Sequence, residues 1–402
     1  MNRSLPILVI GGGIGGITAA VEIAEAGREV ILVEKDPYLG GNVTLFNNYF
    51  PKLCPPTCGL EINYRRIRSN PGISYLTGSE VTGIDGEHGD FMVKVVSGPR
   101  GVTDLCTSCG KCAEVCPVER GPGKAIYIPD GVVFPVKYAI DPELCPGESC
   151  AACVRVCPHD AIRLEAEPSE KEFRVHSIIL ATGWHLYDAS KIRDYHYRSE
   201  PDVITNLEFE RLLSGMRMEN GPLARPSDGR TPSRVAFVQC AGSRDVNYLP
   251  YCSAVCCSAS VKHALTLAES NPRVQTEIFY IDLRLSGRNE DLLVKAQQAP
   301  SITLTRGKVG RIRKDDGRGL ILEVEDMMAG TRRRDPFDLV VLATGLVPNH
   351  LPVPLKTDAY GFYEEGQSPG IYPAATCKRP MDVSSSVKDA TGAALKALRK
   401  IR

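Results

Sequence analysis

The 402-residue sequence has no excess of either charge, with 48 Lys and Arg against 48 Asp and Glu, and it contains one Trp. A basic surface for nucleic acid is therefore not expected. Long apolar runs are also missing: the longest, such as SIILAT and DLVVLAT, have the length of strands and are far shorter than a membrane span. The N-terminus passes at once into LPILVIGGG and shows no signal-peptide pattern. These absences predict a cytoplasmic protein, in which any membrane association would be peripheral and made through partner subunits.

Cysteine, in contrast, is abundant, with 15 residues in a chain long enough for two or three domains. Cytoplasmic thiols stay reduced, so clustered cysteines there more often hold metals than form disulfides. The cysteines fall into groups at positions 54 and 58, 106–116, 145–157 and 240–257, with Cys377 alone. Scattered core cysteines would not group in this way, so the sequence predicts metal or redox centres.

The N-terminal segment has the pattern of a dinucleotide-binding unit. It consists of a buried strand Ile7–Ile10, a glycine turn, a helix Ile17–Ala26 and a second strand Val30–Val33. The turn contains G-x-G-x-x-G at Gly11, Gly13 and Gly16, which lets a pyrophosphate reach the helix N-terminus. Glu34 closes the second strand at the distance expected for an acid that binds a ribose.

The segment KDPYLGGNV after Glu34 favours FAD over NAD. It resembles the two-dinucleotide-binding-domain flavoproteins related to thioredoxin reductase, as do two strands ending in Ala-Thr-Gly at 181–183 and 343–345. In that family these strands connect the FAD domain to a middle domain and back. The last FAD element departs from the family, because Ala375-Thr376-Cys377 replaces the usual Gly-Asp. The residues predicted to bind FAD are Gly11, Gly13, Gly15, Gly16, Glu34, Lys35, Gly41, Asn42, Ala181, Thr182, Gly183 and Gly345.

An insertion between the predicted strands Phe91–Val96 and Phe173–Leu180 has the pattern of a two-cluster ferredoxin. Each of its halves reads C-x-x-C-x-x-C-x-x-x-C-P or nearly so, with four residues in place of two at the first spacing of the second half. In bacterial ferredoxins the fourth cysteine of each run ligates the other cluster. Zinc would suit C-x-x-C pairs, but the third cysteine and the Cys-Pro of each run favour iron–sulfur.

The signature therefore predicts two 4Fe–4S clusters with exchanged ligands. The first would use Cys106, Cys109, Cys112 and Cys157, and the second would use Cys145, Cys150, Cys153 and Cys116.

A second glycine-rich loop is missing from the predicted middle domain. After the strand Arg234–Gln239 the chain reads CAGSRDVNYLPYCSAVCC, with one glycine and the spacing C-x11-C-x3-C-C. The set Cys240, Cys252, Cys256 and Cys257 predicts a third 4Fe–4S cluster in place of an NAD(P)H phosphate site. Buried structural cysteines, a thiol–disulfide pair, and a noncubane or partly ligated cluster that borrows Cys54 or Cys58 remain as alternatives.

The combination of flavin domain, inserted ferredoxin and C-x11-C-x3-C-C resembles the A subunit of heterodisulfide reductase. The stretch NNYFPKLCPPTCGLEI at 47–62 is most similar to the flavoprotein A subunit of the quinone-interacting membrane-bound oxidoreductase complex of sulfate reducers. In the larger family a lysine five residues after the Cys-Cys pair approaches the flavin N5, which marks Lys262 as a candidate catalytic residue. The alternative for Lys262 is a solvated helix face. Cys54 and Cys58 are candidates for a ligand, a redox pair or an interface.

The resemblance implies an oxidoreductase subunit that relays electrons between membrane quinol and adenylylsulfate reductase, with flavin-based bifurcation or confurcation as an option. Implied partners are a second flavin/iron–sulfur subunit, plus a haem-bearing membrane subunit. Alternatives are a soluble heterodisulfide-reductase-type subunit serving a thiol/disulfide reaction, an NAD(P)H-dependent flavoprotein like the glutamate synthase small subunit, or a non-catalytic scaffold.

The expected fold class is α/β, a thioredoxin-reductase-like flavoprotein with an inserted α+β ferredoxin domain. We expect the FAD-binding domain at 1–98, 169–232 (with a linker) and 346–402, the ferredoxin domain at 99–168, and a degenerate nucleotide-binding-like domain at 233–345.

Overall fold

A computed structural model describes residues 5–98, 101–120, 123–129, 132–165, 167–219, 221–315 and 319–399. The described part of the chain forms 21 strands, numbered here in chain order: β1 Ile7–Ile10, β2 Val30–Val33, β3 Ile73–Leu76, β4 Ser79–Glu87, β5 Asp90–Ser97, β6 Glu119–Arg120, β7 Gly123–Lys124, β8 Ile126–Tyr127, β9 Ala139–Ile140, β10 Ser169–Val175, β11 Ser177–Leu180, β12 Trp184–Leu186, β13 Val203–Thr205, β14 Arg234–Ala241, β15 Gln275–Tyr280, β16 Ile302–Lys314, β17 Leu320–Asp326, β18 Thr331–Phe337, β19 Leu339–Thr344, β20 Leu346–Pro348 and β21 Ile371–Pro373.

The same residues form eight α-helices: α1 Ile14–Glu25, α2 Thr57–Ser69, α3 Lys111–Val115, α4 Ala152–Val156, α5 Asn206–Glu219, α6 Cys256–Ser270, α7 Glu290–Gln298 and α8 Val383–Arg399. No described helix is both long enough and apolar enough to cross a lipid bilayer.

A five-stranded parallel sheet, in the order β21-β11-β1-β2-β3, forms the first domain. The strand ILVI of β1 is buried along its whole length, as a parallel strand covered on both faces requires. The covering helices α1 and α8 pack on each other through small residues. Ala390, Ala393, Ala394 and Ala397 recur at helical spacing on the buried side of α8, which allows this close approach.

The insertion is attached to this domain through a three-stranded antiparallel sheet, β10-β5-β4. The chain leaves from β5 and returns in β10, and these two strands pair along their length from Ser97 opposite Ser169 to Phe91 opposite Val175. The inserted segment contains two short hairpins and the two short helices α3 and α4, which contact each other. A compact unit with two small helices therefore extends from one edge of the FAD-type domain.

The middle domain is built on a seven-stranded sheet in the order β13-β19-β14-β15-β16-β17-β18. The strands from β13 to β16 pair in parallel, and β16, β17 and β18 continue as an antiparallel meander. The strand LVVLAT of β19, between β13 and β14, is buried along its whole length. Helix α6 follows β14 and packs against it, as in a dinucleotide-binding unit.

The two connections between the domains lie side by side. The strands β12 and β20 follow the two Ala-Thr-Gly segments and pair with each other in antiparallel register. Asn349 links them further, because its Nδ2 donates to the Thr182 carbonyl at 2.8 Å and its backbone N–H donates to the Gly183 carbonyl at 3.1 Å. The two connections therefore form a two-stranded antiparallel ribbon between the domains.

Several element boundaries differ from the sequence predictions. The single strand predicted at Phe173–Leu180 is two strands, because the chain changes sheets at His176, whose N–H donates to the Pro6 carbonyl at 2.8 Å. Helix α1 begins three residues before the predicted Ile17. Its first turn contains Gly16, where a Cβ would lie 1.7 Å from the Gly11 carbonyl oxygen. Helix α6 begins at Cys256 and so includes the vicinal cysteines.

Candidate functional site

A cavity of about 350 Å³ lies between the first domain and the middle domain, and we call it the central cavity. It is lined by ten of the twelve predicted FAD-binding residues: Gly11, Gly13, Gly15, Glu34, Lys35, Gly41, Asn42, Ala181, Thr182 and Gly183. The other two are not part of its wall. Gly16 packs on the Gly11 carbonyl, and Gly345 packs against Ser243 and Ser253 in the middle domain.

The glycine turn leaves one end of the central cavity open for a phosphate. Gly11 has φ +106°, and a Cβ there would lie 2.2 Å from the Ala181 carbonyl oxygen, so only glycine fits. Gly13 precedes α1 without a side-chain cap, which leaves the N–H groups of the first helical turn available. A Cβ on Gly13 would meet nothing closer than 3.9 Å, because this position faces open space. These features fit a pyrophosphate bound at the helix N-terminus.

Glu34 lies at the end of β2 with a carboxylate that is held from two sides. The Gly12 N–H donates to its Oε2 at 2.5 Å, and the Asp36 N–H donates to its Oε1 at 2.8 Å. Burial, followed by the nearby Asp36 charge, raises the pKa of Glu34 to about 7. The carboxylate therefore lacks a cationic partner strong enough to offset its burial, and hydroxyl donors of a bound ribose would stabilise its charged form.

At the other end of the cavity, Lys262 is buried in an ionic cluster. Its Nζ is hydrogen-bonded to Glu210 of α5 and donates to the Asn48 carbonyl at 2.7 Å, and the neighbouring His263 Nε2 lies 2.7 Å from the same Glu210 oxygen. Asn47 completes the set, since its N–H donates to the other Glu210 oxygen at 3.0 Å. Lys262 is 2% exposed, so the alternative of a solvated helix face is wrong.

The charges of this cluster depend on one another. Burial opposes ionisation of Glu210, but the adjacent His263 and Lys262 outweigh it and lower its pKa to about 2. Burial lowers the pKa of Lys262, and the charge of Glu210 acts in the opposite direction. Burial likewise lowers the pKa of His263. A charged Glu210–Lys262 pair beside a neutral imidazole is the state that these directions favour near neutral pH.

The eight ferredoxin-type cysteines line two small cavities. The wall of the first cysteine pocket includes Cys106, Cys109, Cys112 and Cys157. The wall of the second cysteine pocket includes Cys116, Cys145, Cys150 and Cys153. Each pocket thus contains three cysteines of one run and the fourth cysteine of the other run, which is the exchange that the sequence predicts.

Backbone groups in the insertion are arranged around these sulfurs. The Ser108 N–H donates to Cys106 Sγ at 3.4 Å, and the Ala161 N–H donates to Cys157 Sγ at 3.3 Å. The two extra residues of the second run are taken up by a 3-10 turn at Gly147–Ser149. N–H donors aimed at sulfur are typical of iron–sulfur ligands, so the donor set fits 4Fe–4S clusters.

The four-cysteine set, which comprises Cys240, Cys252, Cys256 and Cys257, lies at the junction of β14 and α6. Cys240 has φ +57° at the end of the strand, and the vicinal cysteines begin the helix. Burial raises the pKa of Cys256, and the three other thiols of the set act in the same direction. Among the described residues, no three His, Cys, Asp or Glu side chains converge closely enough for a single metal ion. A 4Fe–4S cluster takes four thiolates on a larger cube.

Two polar side chains beside Cys240 have no hydrogen-bond partner among the described residues. They are the amide of Gln239, which is 6% exposed, and the hydroxyl of Ser243, which is 5% exposed. Buried polar groups without protein partners are rare, and a bound ion or group is one of the usual reasons for them. Gln239 directly precedes Cys240 in the sequence, and Ser243 follows it by three residues.

The chain matches two families of known domains. Residues 6–55 match the family described as FAD dependent oxidoreductase, and residues 101–119 match the 4Fe-4S binding domain family. Two solved structures share the fold at low sequence identity: thioredoxin reductase of T. acidophilum (TM-score 0.56, 14% identity, 99% of each chain) and of Lactococcus lactis (TM-score 0.52, 16% identity, 98% of each chain).

Several curated relatives are similar along most of this chain. The A subunit of H(2):CoB-CoM heterodisulfide,ferredoxin reductase of Methanothermobacter thermautotrophicus is 34% identical over 416 residues, and the CoB--CoM heterodisulfide reductase iron-sulfur A subunit 2 of Methanopyrus kandleri is 37% identical over 417 residues. Each alignment covers 97% of this chain. The chain belongs to the family of heterodisulfide reductase A subunits. It spans 63% of the length of these two relatives.

The family membership confirms the predicted fold, a thioredoxin-reductase-like FAD oxidoreductase with a 4Fe–4S ferredoxin domain. The matched FAD and 4Fe-4S domains agree with the predicted oxidoreductase subunit, and the comparisons support the heterodisulfide-reductase-type alternative better than the sulfate-reduction role.

Sequence reasoning missed Glu210 altogether. It lies on α5, 52 residues before Lys262 and 163 residues after Asn47, and no local motif marks it. His263, which no motif marks either, contacts the same carboxylate as Lys262 through its ring.

The remaining cysteines are separate from these sites. Cys377 is fully buried and donates to the Leu180 and Ala374 carbonyls at 3.1 Å, while its neighbours Ala375 and Thr376 line the central cavity. Cys54 is partly exposed and Cys58 is exposed, and both raise the pKa of Tyr49 after the larger effect of its burial.

Proposed function

We propose that this family member holds one FAD and three 4Fe–4S clusters and relays electrons within a complex of heterodisulfide reductase type. The observation that carries the proposal is the layout of α6. This helix begins with Cys256 and Cys257 and presents Lys262 to the central cavity five residues later. With a rise of 1.5 Å per residue, the two points are about 7.5 Å apart along the helix axis. A single rigid element thus connects the four-cysteine set with the cavity.

Bound FAD would exchange electrons singly or in pairs, and bound clusters would carry them one at a time. Within this arrangement Gly11 and Gly13 admit the pyrophosphate to the start of α1, and Glu34 accepts hydrogen bonds from the ribose. Lys262 provides a positive charge in the cavity wall, held in place by Glu210 and the Asn48 carbonyl. We keep Lys262 as the candidate residue at the flavin ring.

The cysteines of the insertion are assigned to clusters by the two pockets. The first cysteine pocket would hold one cluster and the second cysteine pocket the other, each completed by a cysteine from the opposite run. The four-cysteine set would hold the third cluster. The junction from β14 to α6 carries these cysteines where an NAD(P)H-dependent relative would bind phosphate, so the NAD(P)H alternative has no support from this junction.

The partners follow from the relatives by analogy. The relatives are named as A subunits of enzymes that act on the CoB–CoM heterodisulfide, some with ferredoxin. We therefore propose at least one further iron–sulfur subunit that reduces a disulfide. The stretch at 47–62 supports a second candidate, in which a haem-bearing membrane subunit supplies electrons from quinol and adenylylsulfate reductase receives them.

Anaerobic isolation followed by cofactor analysis tests the proposal. We expect about one FAD and about twelve iron atoms per chain, four for each cluster. A content of about eight iron atoms per chain, with both ferredoxin clusters intact, would remove the third cluster from the proposal.

The subunits that co-isolate with the native complex separate the two candidate functions. A thiol-reducing iron–sulfur subunit supports the heterodisulfide-type function. A haem-bearing membrane subunit together with adenylylsulfate reductase would overturn it in favour of the quinol-linked one.

A further inference from the structure

The loop between Cys240 and Cys252 places one arginine against the four-cysteine set. Arg244 has φ +58°, and its backbone N–H donates to the Tyr251 carbonyl at 3.1 Å, which closes the loop on itself. Its side chain is 23% exposed, so it is directed inward rather than into solvent. The backbone hydrogen bond of the loop and the burial of the side chain therefore both hold Arg244 in one direction.

The guanidinium of Arg244 is held beside the four-cysteine set by a carboxylate. Its Nη2 donates to Asp282 Oδ2 at 2.9 Å. Burial and the Cys257 thiol raise the pKa of Cys240, and the charge of Arg244 acts in the opposite direction, as a nearby cation does. The carboxylate of Asp282 therefore positions the guanidinium near the cysteine sulfurs.

The segment around Asp282 also contacts the set directly. The Asp282 carbonyl accepts from Cys257 Sγ at 3.7 Å. The Arg284 side chain is 54% exposed and lies 3.5 Å from Asp282, so its charge is more screened by water than that of Arg244. Arg244 is thus the better-shielded cation of the two at the four-cysteine set.

We propose that Arg244, positioned by Asp282, sets the reduction potential of the cluster held by the four-cysteine set. The inference rests on the third cluster of the proposed function and adds to it a residue that acts on the cluster without ligating it. Reduction adds one negative charge to a cluster, and a nearby cation or an N–H donor to a ligand sulfur stabilises that charge. Arg244 therefore raises the potential, and Asp282, which opposes its charge, moderates the increase.

The test is an anaerobic redox titration of the complete, cofactor-loaded protein followed by electron paramagnetic resonance. The signal of the third cluster is identified as the one that Cys252→Ser removes. In Arg244→Gln we expect the ratio of reduced to oxidised cluster at a fixed potential to fall about tenfold, which is about 59 mV for a one-electron couple. Asp282→Asn should change the ratio in the opposite direction, and Arg244→Lys should keep part of the wild-type value.

Controls separate this effect from general damage. The signals of the two ferredoxin clusters serve as an internal reference and should not move. Arg66→Gln removes an arginine from a comparable carboxylate pair, with Glu25 at 2.6 Å, in the first domain, and should leave all potentials unchanged. If Arg244→Gln loses the cluster, the potential measured in Asp282→Asn tests the inference instead. This variant keeps the contact of the residue 282 backbone carbonyl with Cys257.

Two results would overturn the inference, and they are distinguishable. Unchanged potentials in Arg244→Gln and Asp282→Asn, with iron content retained, would remove the role of Arg244 and leave the proposed function intact. A content of about eight iron atoms per chain, with no electron paramagnetic resonance signal that Cys252→Ser removes, would remove the third cluster and the inference together.

Discussion

Glu34 shows how a single buried carboxylate can prepare a site for its ligand. Two backbone N–H groups fix its orientation, but no cation lies close enough to counter its burial and the charge of Asp36, and its pKa rises to about 7. Hydroxyl groups of a ribose would supply hydrogen bonds to the charged form. Hydrogen bonds from the ribose would therefore recover part of the free energy that burial of the charged Glu34 carboxylate costs the unbound protein.

The affinity of the flavin-free protein for FAD should increase with pH up to about 7. Below this pH the folded protein carries a proton on Glu34, and binding must release it, so each unit of lower pH weakens binding by up to about tenfold, or 1.36 kcal/mol. Rebinding of FAD measured by fluorescence between pH 5.5 and about 8 checks this.

Two variants test the origin of this dependence. Glu34→Gln should bind FAD more weakly and with a flat pH profile, and Asp36→Asn should move the transition to lower pH because it removes the adjacent charge. An unchanged slope in Glu34→Gln would contradict the assignment.

At the level of single residues, the sequence predicts those site residues that belong to local motifs. Gly11, Gly13 and Glu34 are recognisable because a glycine turn and a strand end lie within one short segment. Glu210 is not recognisable, since its partners come from a loop of the first domain and from α6, and only the closed fold brings them together. Its isolated sequence context is that of an ordinary helical surface.

Among the secondary-structure elements, α3 and α4 form a matched pair. Each is five residues long and starts after a residue with positive φ, Gly110 or Ala151, so that a cysteine turn leads directly into a short helix. The cysteine that follows each helix lies in the pocket of the other run. The pairing of the two helices is therefore what exchanges the fourth ligands.

Double cysteine variants should show this exchange. Cys157→Ser combined with Cys109→Ser affects one pocket, so about eight of about twelve irons should remain, the same as for Cys157→Ser alone. Cys157→Ser combined with Cys145→Ser affects both pockets, so about four should remain. Iron and acid-labile sulfide analysis reads out both.

The contrary assignment gives the reverse result. If each run held its own cluster, Cys157→Ser with Cys145→Ser would retain about eight irons, and Cys157→Ser with Cys109→Ser would retain about four.

Sequence patterns located the strands next to the recognisable motifs but not the junctions between elements. The run FRVHSIIL that ends at Leu180 looks like one strand because no Gly or Pro interrupts it, yet the chain passes from an antiparallel sheet to a parallel sheet at His176. Periodicity reports burial and cannot report which sheet covers a residue. The start of α1 was misjudged for a related reason, since glycine lowers helix propensity although Gly16 is needed for packing.

Considered as a whole molecule, the two domains are joined at two separate places. One is the β12–β20 ribbon with Asn349, and the other is the contact of Glu210 and Lys262 with the loop at Asn47 and Asn48. The second contact lies in the wall of the central cavity. Both domains therefore contribute to one enclosed site.

Glu210→Ala should weaken the second contact strongly. It leaves the Lys262 charge buried without its carboxylate, and loss of one member of a buried pair typically costs about 3–5 kcal/mol. We expect a lower apparent melting temperature and faster hydrogen exchange of the Asn47 N–H. Glu25→Ala, which removes an exposed pair with Arg66, should cost less than about 1 kcal/mol. Equal effects of the two variants would contradict a special role for the Glu210 cluster.

The two-point attachment has a consequence for the rate of electron movement. A middle domain held by one ribbon can swing, and its distance to the flavin would then vary with thermal motion and with solvent viscosity. Here the helix that carries Cys256 and Cys257 is also attached to the first domain through Lys262, so the separation between the four-cysteine set and the cavity is fixed by the geometry of one helix. With FAD and the third cluster bound as proposed, tunnelling across this gap would be governed by a constant length.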